Sequence, residues 1–373
     1  MRAQDYAKLE APFSPSDDPE LAFPKAVGID LPEIEQLYRE IFDDLDDKVF
    51  GVGWWAPHPG TQRRILISNY LLECVRSIRT NLTEAALHLM EAADHWDKEG
   101  NFLGDCVTLD QNGNPTFKIP KRAKPADDLA RRMATLHTVG FSRALVGAMD
   151  CLGASIVGVL GLPISINFAD FSRARVGLKK SQDPTHLFFL DKLEKCLATA
   201  GPAGWVTWSL DLRNMVVHRG RRIHTAQVIP RAGSLLGPDG KVIPRATISE
   251  HLPSDPCRSQ VEAFLDTSRL PALTEHAELT LQGILSSSID TIRQSARELI
   301  KIWALRRKTP TLIKQPKENW PTLAGASHTG FDGYSPGSTP CNFKQWSAHP
   351  DIHKLIVASA LSDDTRSRWD EFD

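Results

Sequence analysis

The chain has 373 residues, of which 41% are hydrophobic and 24% are charged, and its formal net charge at pH 7 is −2. This balance is typical of a globular protein with a sizeable core. It excludes a polycation that coats nucleic acid indiscriminately, so any nucleic-acid site must depend on local charge. The 6 cysteines are scattered without a Cys-x-x-Cys pair, and the first fifteen residues have no apolar core. We therefore expect no zinc ribbon, no disulfide framework and no signal peptide, and a cytoplasmic location.

Apolar periodicity predicts a series of helices. A short helix at about 32–46 follows an irregular arm, and longer helices are predicted at about 63–98, 127–162, 183–200, 202–218 and 273–308. The helix at 63–98 carries the clearest apolar stripe, which consists of Leu71, Val75, Ile78, Leu82, Ala85 and Leu89. Between the first two long helices, Asn112-Gly113-Asn114-Pro115 predicts a loop or a small hairpin.

Long helices with short connections predict an all-α fold, a helical bundle with a small inserted β-hairpin. We expect an N-terminal arm with one short helix at 1–62, the bundle at 63–308 with its insert at about 221–250, and an irregular C-terminal tail at 309–373. Residues 144–162 are almost wholly apolar, but Asp150 lies near their middle, where a charge costs about 3 kcal/mol in a membrane. This stretch is therefore interpreted as a buried helix, with no membrane association.

The helix predicted to end near His218 is apolar on most sides but carries one polar stripe. At helical spacing, Thr207, Asp211, Asn214 and His218 fall on the same face. A helix of this kind should be buried, and an unsatisfied buried polar group costs about 1–3 kcal/mol. The polar stripe should therefore be hydrogen-bonded in the core or line a cleft.

Two residues of this stripe, Asn214 and His218, also belong to a sequence motif that begins at Arg213. Arg213, Asn214 and His218 are spaced as Arg-Asn-x-x-x-His, which resembles the Arg-x(4–6)-His motif of the HEPN-domain superfamily. The preceding long helix, with its opening at 141–145 and its central Asp150, is similar to the helix that packs beneath that motif. The resemblance covers roughly residues 63–222.

The bare spacing is not specific, since it recurs elsewhere in the chain. The other matches are Arg132/His137, Arg219/His224, Arg245/His251 and Arg269/His276. The match at Arg213 is distinguished by the Asn in second place, by the apolar residues inside the motif and by the basic residues directly after it. Those basic residues are Arg219, Arg221 and Arg222.

The resemblance implies metal-independent cleavage of RNA, with neither a cofactor nor a metal ion. The ribose 2′-OH would attack the adjacent phosphorus and leave a 2′,3′-cyclic phosphate and a 5′-OH. His218 would transfer the proton near neutral pH, and Arg213 would hold the phosphate as negative charge develops. Asn214 would orient the imidazole or bind a phosphate oxygen. Arg213 lies about 140° round the helix from His218, so its long side chain must reach across.

Two carboxylates are expected to support this site. Asp211 would fix the tautomer of His218 or hold an arginine, and Asp150 would pair with Arg143 or with another helix. Arg219, Arg221 and Arg222 would contact RNA phosphates or form a solvated basic run. The resemblance also implies a homodimer through the motif helices. A role as a toxin or phage-defence effector, with an antitoxin or an activating partner, follows by analogy alone.

Two other functions remain open at this point. One is a non-catalytic HEPN-like helical subunit that binds RNA or protein. The other is a metal-dependent bundle enzyme, because Glu84, His88, Glu91 and His95 follow one another on a single helix face. No Glu-x-x-His partner is visible on a second helix, so we expect these four residues to form a solvated polar face.

Overall fold

The computed structural model describes residues 24–25, 27–44, 61–109, 115–117, 125–164, 168–218, 225–236, 242–256 and 272–309. Helix predominates in these residues, which confirms the all-α class. The elements are, in chain order, α1 (Pro32–Asp43), α2 (Thr61–Cys106), β1 (Val107–Leu109), β2 (Pro115–Phe117), α3 (Pro125–Leu160), α4 (Phe171–Lys180), α5 (Pro184–Ala200), α6 (Trp205–His218), β3 (Thr225–Leu236), β4 (Val242–His251) and α7 (Ala277–Lys308). Most of the predicted N-terminal arm, and the predicted tail from residue 310 onward, lie outside the described residues.

Two pairs of antiparallel strands accompany the helices. The short strands β1 and β2 pair over three residues, from Val107 opposite Phe117 to Leu109 opposite Pro115. The longer strands β3 and β4 pair from Thr225 opposite His251 to Leu236 opposite Val242. Their register shifts between residues 231 and 234, so the second pair is a hairpin with an irregularity in β3.

The chain divides into two compact units, each built from separated stretches of sequence. Unit 1 contains residues 1–31, 78–149 and 193–294, and unit 2 contains residues 32–77, 150–192 and 295–373. One boundary lies directly before α1, and the other four fall inside α2, α3, α5 and α7.

The helices predicted from periodicity are present, with shifted ends. Helix α2 continues to Cys106, beyond the predicted end near residue 98, and all six residues of its apolar stripe are buried. Helix α3 ends at Leu160, where Gly161 adopts a φ of 65°, a left-handed conformation that glycine tolerates at a helix C-terminus. The helix therefore ends close to the predicted end at about residue 162.

Helix α4 was not predicted, and α5 buries a face that its sequence does not mark. Asp170 is the N-cap of α4, because its carboxylate accepts a hydrogen bond from the Arg173 backbone N–H at 2.7 Å. In α5, Leu187 is 44% exposed, whereas His186 and Phe189 are buried. The run from Leu187 to Leu190 is apolar on every side, so periodicity alone does not select the buried face.

In unit 2, side chains satisfy the carbonyl groups at the end of α3. The guanidinium of the buried Arg306 donates to the carbonyl oxygens of Val159 and Gly158. His186 Nε2 lies 2.8 Å from the Leu160 carbonyl oxygen and Ser181 Oγ lies 2.7 Å from His186 Nδ1. Since a carbonyl only accepts, Nε2 carries the proton of His186. The last carbonyls of a helix have no partner within the helix, so these contacts fix its end.

One helical segment of the described chain, Leu129–Leu160, is long and apolar enough to cross a membrane by length and composition, and 78% of its most apolar window is buried.

Candidate functional site

The motif helix α6 is attached to unit 1 through two tryptophans in its first turns. Trp205 Nε1 donates to the Leu197 carbonyl oxygen at 3.1 Å, which ties the start of α6 to the end of α5. Trp208 Nε1 donates to the Pro253 carbonyl oxygen at 3.0 Å, just after β4. The indole N–H groups thus find acceptors while the rings fill apolar space, and together they hold α6 in place.

Only one side of α6 is packed against the unit. Trp205, Ser209, Leu212 and Val216 are buried and follow helical spacing, whereas Thr207, Asn214 and Val217 are exposed. The expected burial of this mostly apolar helix is therefore found on one side of α6 only. The packed stripe of residues 205, 209, 212 and 216 is sufficient to hold the helix, and Thr207 and Asn214 of the polar stripe lie at the surface instead of in the core.

The predicted site residues of α6 differ in how far their side chains are exposed. Asn214 is exposed, and Asp211 and Arg213 are half-buried. His218 is the last residue of the helix, and its side chain lies outside the described structure. The predicted RNA-binding residues Arg219, Arg221 and Arg222 also lie outside the described residues.

Asp150 belongs to unit 2 and has a structural partner there. Its Oδ1 accepts a hydrogen bond at 3.3 Å from the backbone N–H of Phe171, the first residue of α4. The first N–H groups of a helix lack partners within the helix, and a carboxylate is favoured there by the helix dipole. Of the two partners expected for Asp150, the structure thus shows the one on another helix.

A second group of polar side chains lies in unit 1, where α2 contacts α3. We call it the histidine cluster, and it consists of His88, Glu91 and His95 of α2 and His137 of α3. The Nδ1 atoms of His88 and His137 are 3.0 Å apart, and the rings of His95 and His137 stack with centroids 5.8 Å apart. One possible ligand atom from each of Glu91, His95 and His137 lies within 4.8 Å of the others. The four side chains are half-buried.

Burial favours the neutral form of two imidazoles of this cluster, those of His88 and His137. Desolvation lowers the pKa of His137, and the neighbouring His88 and His95 lower it further, while Glu91 raises it. Desolvation also lowers the pKa of His88, although Glu84 and Glu91 oppose that shift. A neutral imidazole can accept a hydrogen bond or bind a metal ion through its unprotonated nitrogen.

The expectation of a solvated face for the α2 residues thus needs correction. Glu84 is exposed, but His88, Glu91 and His95 are half-buried against α3. Their i, i+3 and i+7 spacing on α2 was a signal in the sequence, but the partner on the second helix is not part of a Glu-x-x-His motif. That partner is a single residue, His137, which the sequence suggested only as part of a loose Arg-His match.

No protein-family model matches the chain, and neither the curated proteins nor the solved structures contain a significant match to it.

Proposed function

We propose that the protein is a metal-independent endoribonuclease of HEPN type, a helical bundle with an inserted β3–β4 hairpin that acts as a homodimer through α6. The observation that carries this proposal is the disposition of α6. One stripe of the helix anchors it, while Asn214 is exposed and Arg213 half-buried in the turns that lead to His218 at the helix end.

The chemistry assigned to these residues follows their types and spacing. His218 transfers the proton of the ribose 2′-OH, because imidazole titrates near neutral pH. Arg213 neutralises charge on the phosphate in the transition state, and its planar guanidinium can donate two parallel hydrogen bonds. Asn214 orients the imidazole or the phosphate. The products are a 2′,3′-cyclic phosphate and a 5′-OH.

The exposed surface of α6 supports the dimer. Val217 is 40% exposed, and it lies next to His218 and one turn from Asn214. A second copy of α6 that packs against this surface would cover Val217 and bring two motifs to one cleft. Three arginines follow the helix, and RNA phosphates are their natural partners. The role as a toxin or defence effector, controlled by an antitoxin or an activating partner, is part of the same proposal.

The test is cleavage of RNA by the purified full-length chain in the presence of EDTA. We expect His218→Ala and Arg213→Ala each to reduce the rate by about 100-fold or more. Thr207→Ala is the matched control, since Thr207 is exposed two to three turns earlier on α6, and it should retain the wild-type rate. Cleavage of equal rate by the wild-type protein and His218→Ala would contradict the proposal.

The non-catalytic alternative predicts a different pattern. RNA or protein binding would survive His218→Ala, and no cyclic phosphate would form with any RNA. Sedimentation of the wild-type protein separately tests the dimer, and Val217→Asp should shift it toward the monomer.

A further inference from the structure

The histidine cluster contains two buried nitrogen atoms that have no hydrogen-bond partner, Nδ1 of His95 and Nε2 of His137. A buried polar atom without a partner is uncommon in native proteins, because its lost hydration is not replaced. Both atoms belong to rings that stack on each other, and both rings offer a ligand atom to the same space as Glu91. An occupant of this space would have to bind two imidazole nitrogens and one carboxylate oxygen.

The contact between His88 and His137 indicates which nitrogen of His137 is unprotonated and can bind such an occupant. Their Nδ1 atoms are 3.0 Å apart, so one donates its proton and the other accepts it. If His137 donates from Nδ1, its Nε2 is unprotonated and presents a lone pair. If His88 donates instead, Nε2 of neutral His137 carries a buried hydrogen without an acceptor. The first arrangement avoids that unsatisfied donor.

From this geometry we propose that Glu91, His95 and His137 bind a divalent zinc ion, with His88 as the residue that orients His137. Two imidazoles and one carboxylate are a ligand set that zinc accepts, and three protein ligands leave a fourth tetrahedral position for water. The spacing of Glu91 and His95, four residues apart on α2, puts both ligands on one helix face. His137 completes the set from α3.

The distances require a modest adjustment on binding. Tetrahedral zinc with bonds of about 2.0–2.1 Å separates its ligand atoms by roughly 3.4 Å. The ligand atoms of the three side chains lie within 4.8 Å of one another, so a pair of them would close by at most about 1.4 Å through rotation of the side chains. The backbone of the two helices need not move.

The charges in the cluster favour a cation. Glu91 is the acidic residue among the proposed ligands, so its carboxylate supplies negative charge to the space between the two imidazoles. A ligating imidazole commonly donates its other N–H to an acceptor, and loss of that acceptor weakens binding by about 10- to 100-fold. His88 Nδ1 is that acceptor.

The experiment uses the untagged full-length chain, stripped of metal with a chelator and titrated with ZnCl₂ in a calorimeter. We expect one zinc site per chain and a rise in the melting temperature. His137→Gln and His95→Gln should each abolish this site, while His88→Gln should weaken it by about 10- to 100-fold. Circular dichroism of each variant checks that it is folded.

The matched control is His276→Asn, because His276 is another half-buried histidine of unit 1 and lies outside the cluster. It should bind zinc like the wild-type protein. Co²⁺ provides a second readout, since a tetrahedral site with nitrogen and oxygen ligands gives visible absorption bands without the thiolate charge-transfer bands of a cysteine site. Equal zinc affinity in the wild-type protein and the folded His95→Gln/His137→Gln double variant, or no zinc binding by the wild-type protein, would overturn the proposal.

The zinc site does not depend on the proposed ribonuclease. Cleavage of RNA in EDTA depends on His218 and Arg213, whereas zinc binding depends on His95 and His137. Failure of one experiment therefore leaves the other unaffected.

Discussion

A Cβ atom added at Gly140 of α3 would lie 2.5 Å from both Cε1 and Nε2 of His88 on α2. Glycine at this position lets the two helices approach closely enough for His88 to reach His137. Any larger residue must displace the His88 ring, and with it the hydrogen bond that orients His137.

Gly140→Ala is therefore expected to destabilise the protein although alanine favours helix. Overpacking costs about 1–3 kcal/mol, and the gain in helix propensity is roughly 1 kcal/mol, so we expect a net loss of about 1 kcal/mol in the free energy of unfolding. Gly283→Ala in α7 is the control, because nothing lies within 4 Å of its added Cβ, and it should gain roughly 0.5–1 kcal/mol. Urea unfolding measures both, and equal stability of the two variants would contradict the prediction.

Gly153→Ala tests a closer contact in unit 2. Its Cβ would lie 2.3 Å from the Phe171 backbone nitrogen and 2.4 Å from the Asp170 carbonyl carbon. Backbone atoms cannot rotate away as a side chain can, so we expect a loss of about 3 kcal/mol or more.

Gly177→Ala in α4 is the control for that variant. The Cβ of this variant would meet Ile164 Cδ1 at 2.8 Å, at the end of a flexible side chain. The gain in helix propensity of about 1 kcal/mol should offset much of that contact. Thermal unfolding should therefore rank Gly153→Ala well below Gly177→Ala, and the reverse order would show that the α3–α4 contact is adaptable.

The sequence predicted the long helices well because their apolar residues repeat at helical spacing over many turns. In α2, Leu71 and Leu89 mark the ends of a stripe that is buried throughout. Periodicity could not predict the buried face of α5, where Leu187 is exposed, because a run that is apolar on all sides has no preferred face in its sequence. Helix α4 is only 10 residues long, and its N-cap, Asp170, was the signal that periodicity did not include.

The histidine cluster could not be predicted in full for a geometric reason. The spacing of His88, Glu91 and His95 shows that they share a face of α2, which is a local property of one helix. Whether His137 meets that face depends on the rotation and stagger of α3 against α2. Those are set by packing at positions such as Gly140, some 50 residues away in sequence from His88.

Substitution of Arg306 tests how much a buried cation at a helix end stabilises the protein. It is 1% exposed, desolvation lowers its pKa to about 10 despite the opposing charge of Asp44, and it donates to the carbonyls of Gly158 and Val159. Arg306→Met removes the donors and leaves two buried carbonyls without this partner, so we expect a loss of about 2–4 kcal/mol.

The control for Arg306→Met is Lys301→Met, which removes a cation whose side chain is 69% exposed beside Glu298. An exposed ion pair contributes about 0–1 kcal/mol, so the control should change little. Arg306→Lys should fall between the two, because an ammonium retains a charge but not the fork of donors. Chemical denaturation measures all three, and an Arg306→Met protein as stable as Lys301→Met would show that the carbonyls find other donors.

His276 makes the stability of the protein depend on pH. Its Nδ1 accepts a hydrogen bond at 3.2 Å from the Glu278 backbone N–H at the start of α7, which requires that nitrogen to be unprotonated. Desolvation lowers the pKa of His276 below its usual 6.5, His251 lowers it further, and Glu278 and Asp97 oppose the shift.

The sign of the effect follows from these protonation states. Below pH 6.5 the unfolded chain binds a proton at this residue while the folded chain resists it, so stability falls as the pH is lowered through 6.5 toward the folded pKa. His276→Asn keeps an acceptor for the Glu278 N–H but does not titrate. The melting temperature of this variant should therefore fall less between pH 7.5 and pH 5.5 than that of the wild-type protein, by about 2 °C or more. The other histidines titrate in both proteins, so the difference between the two profiles isolates residue 276, and parallel profiles would mean that its protonation costs nothing in the folded state.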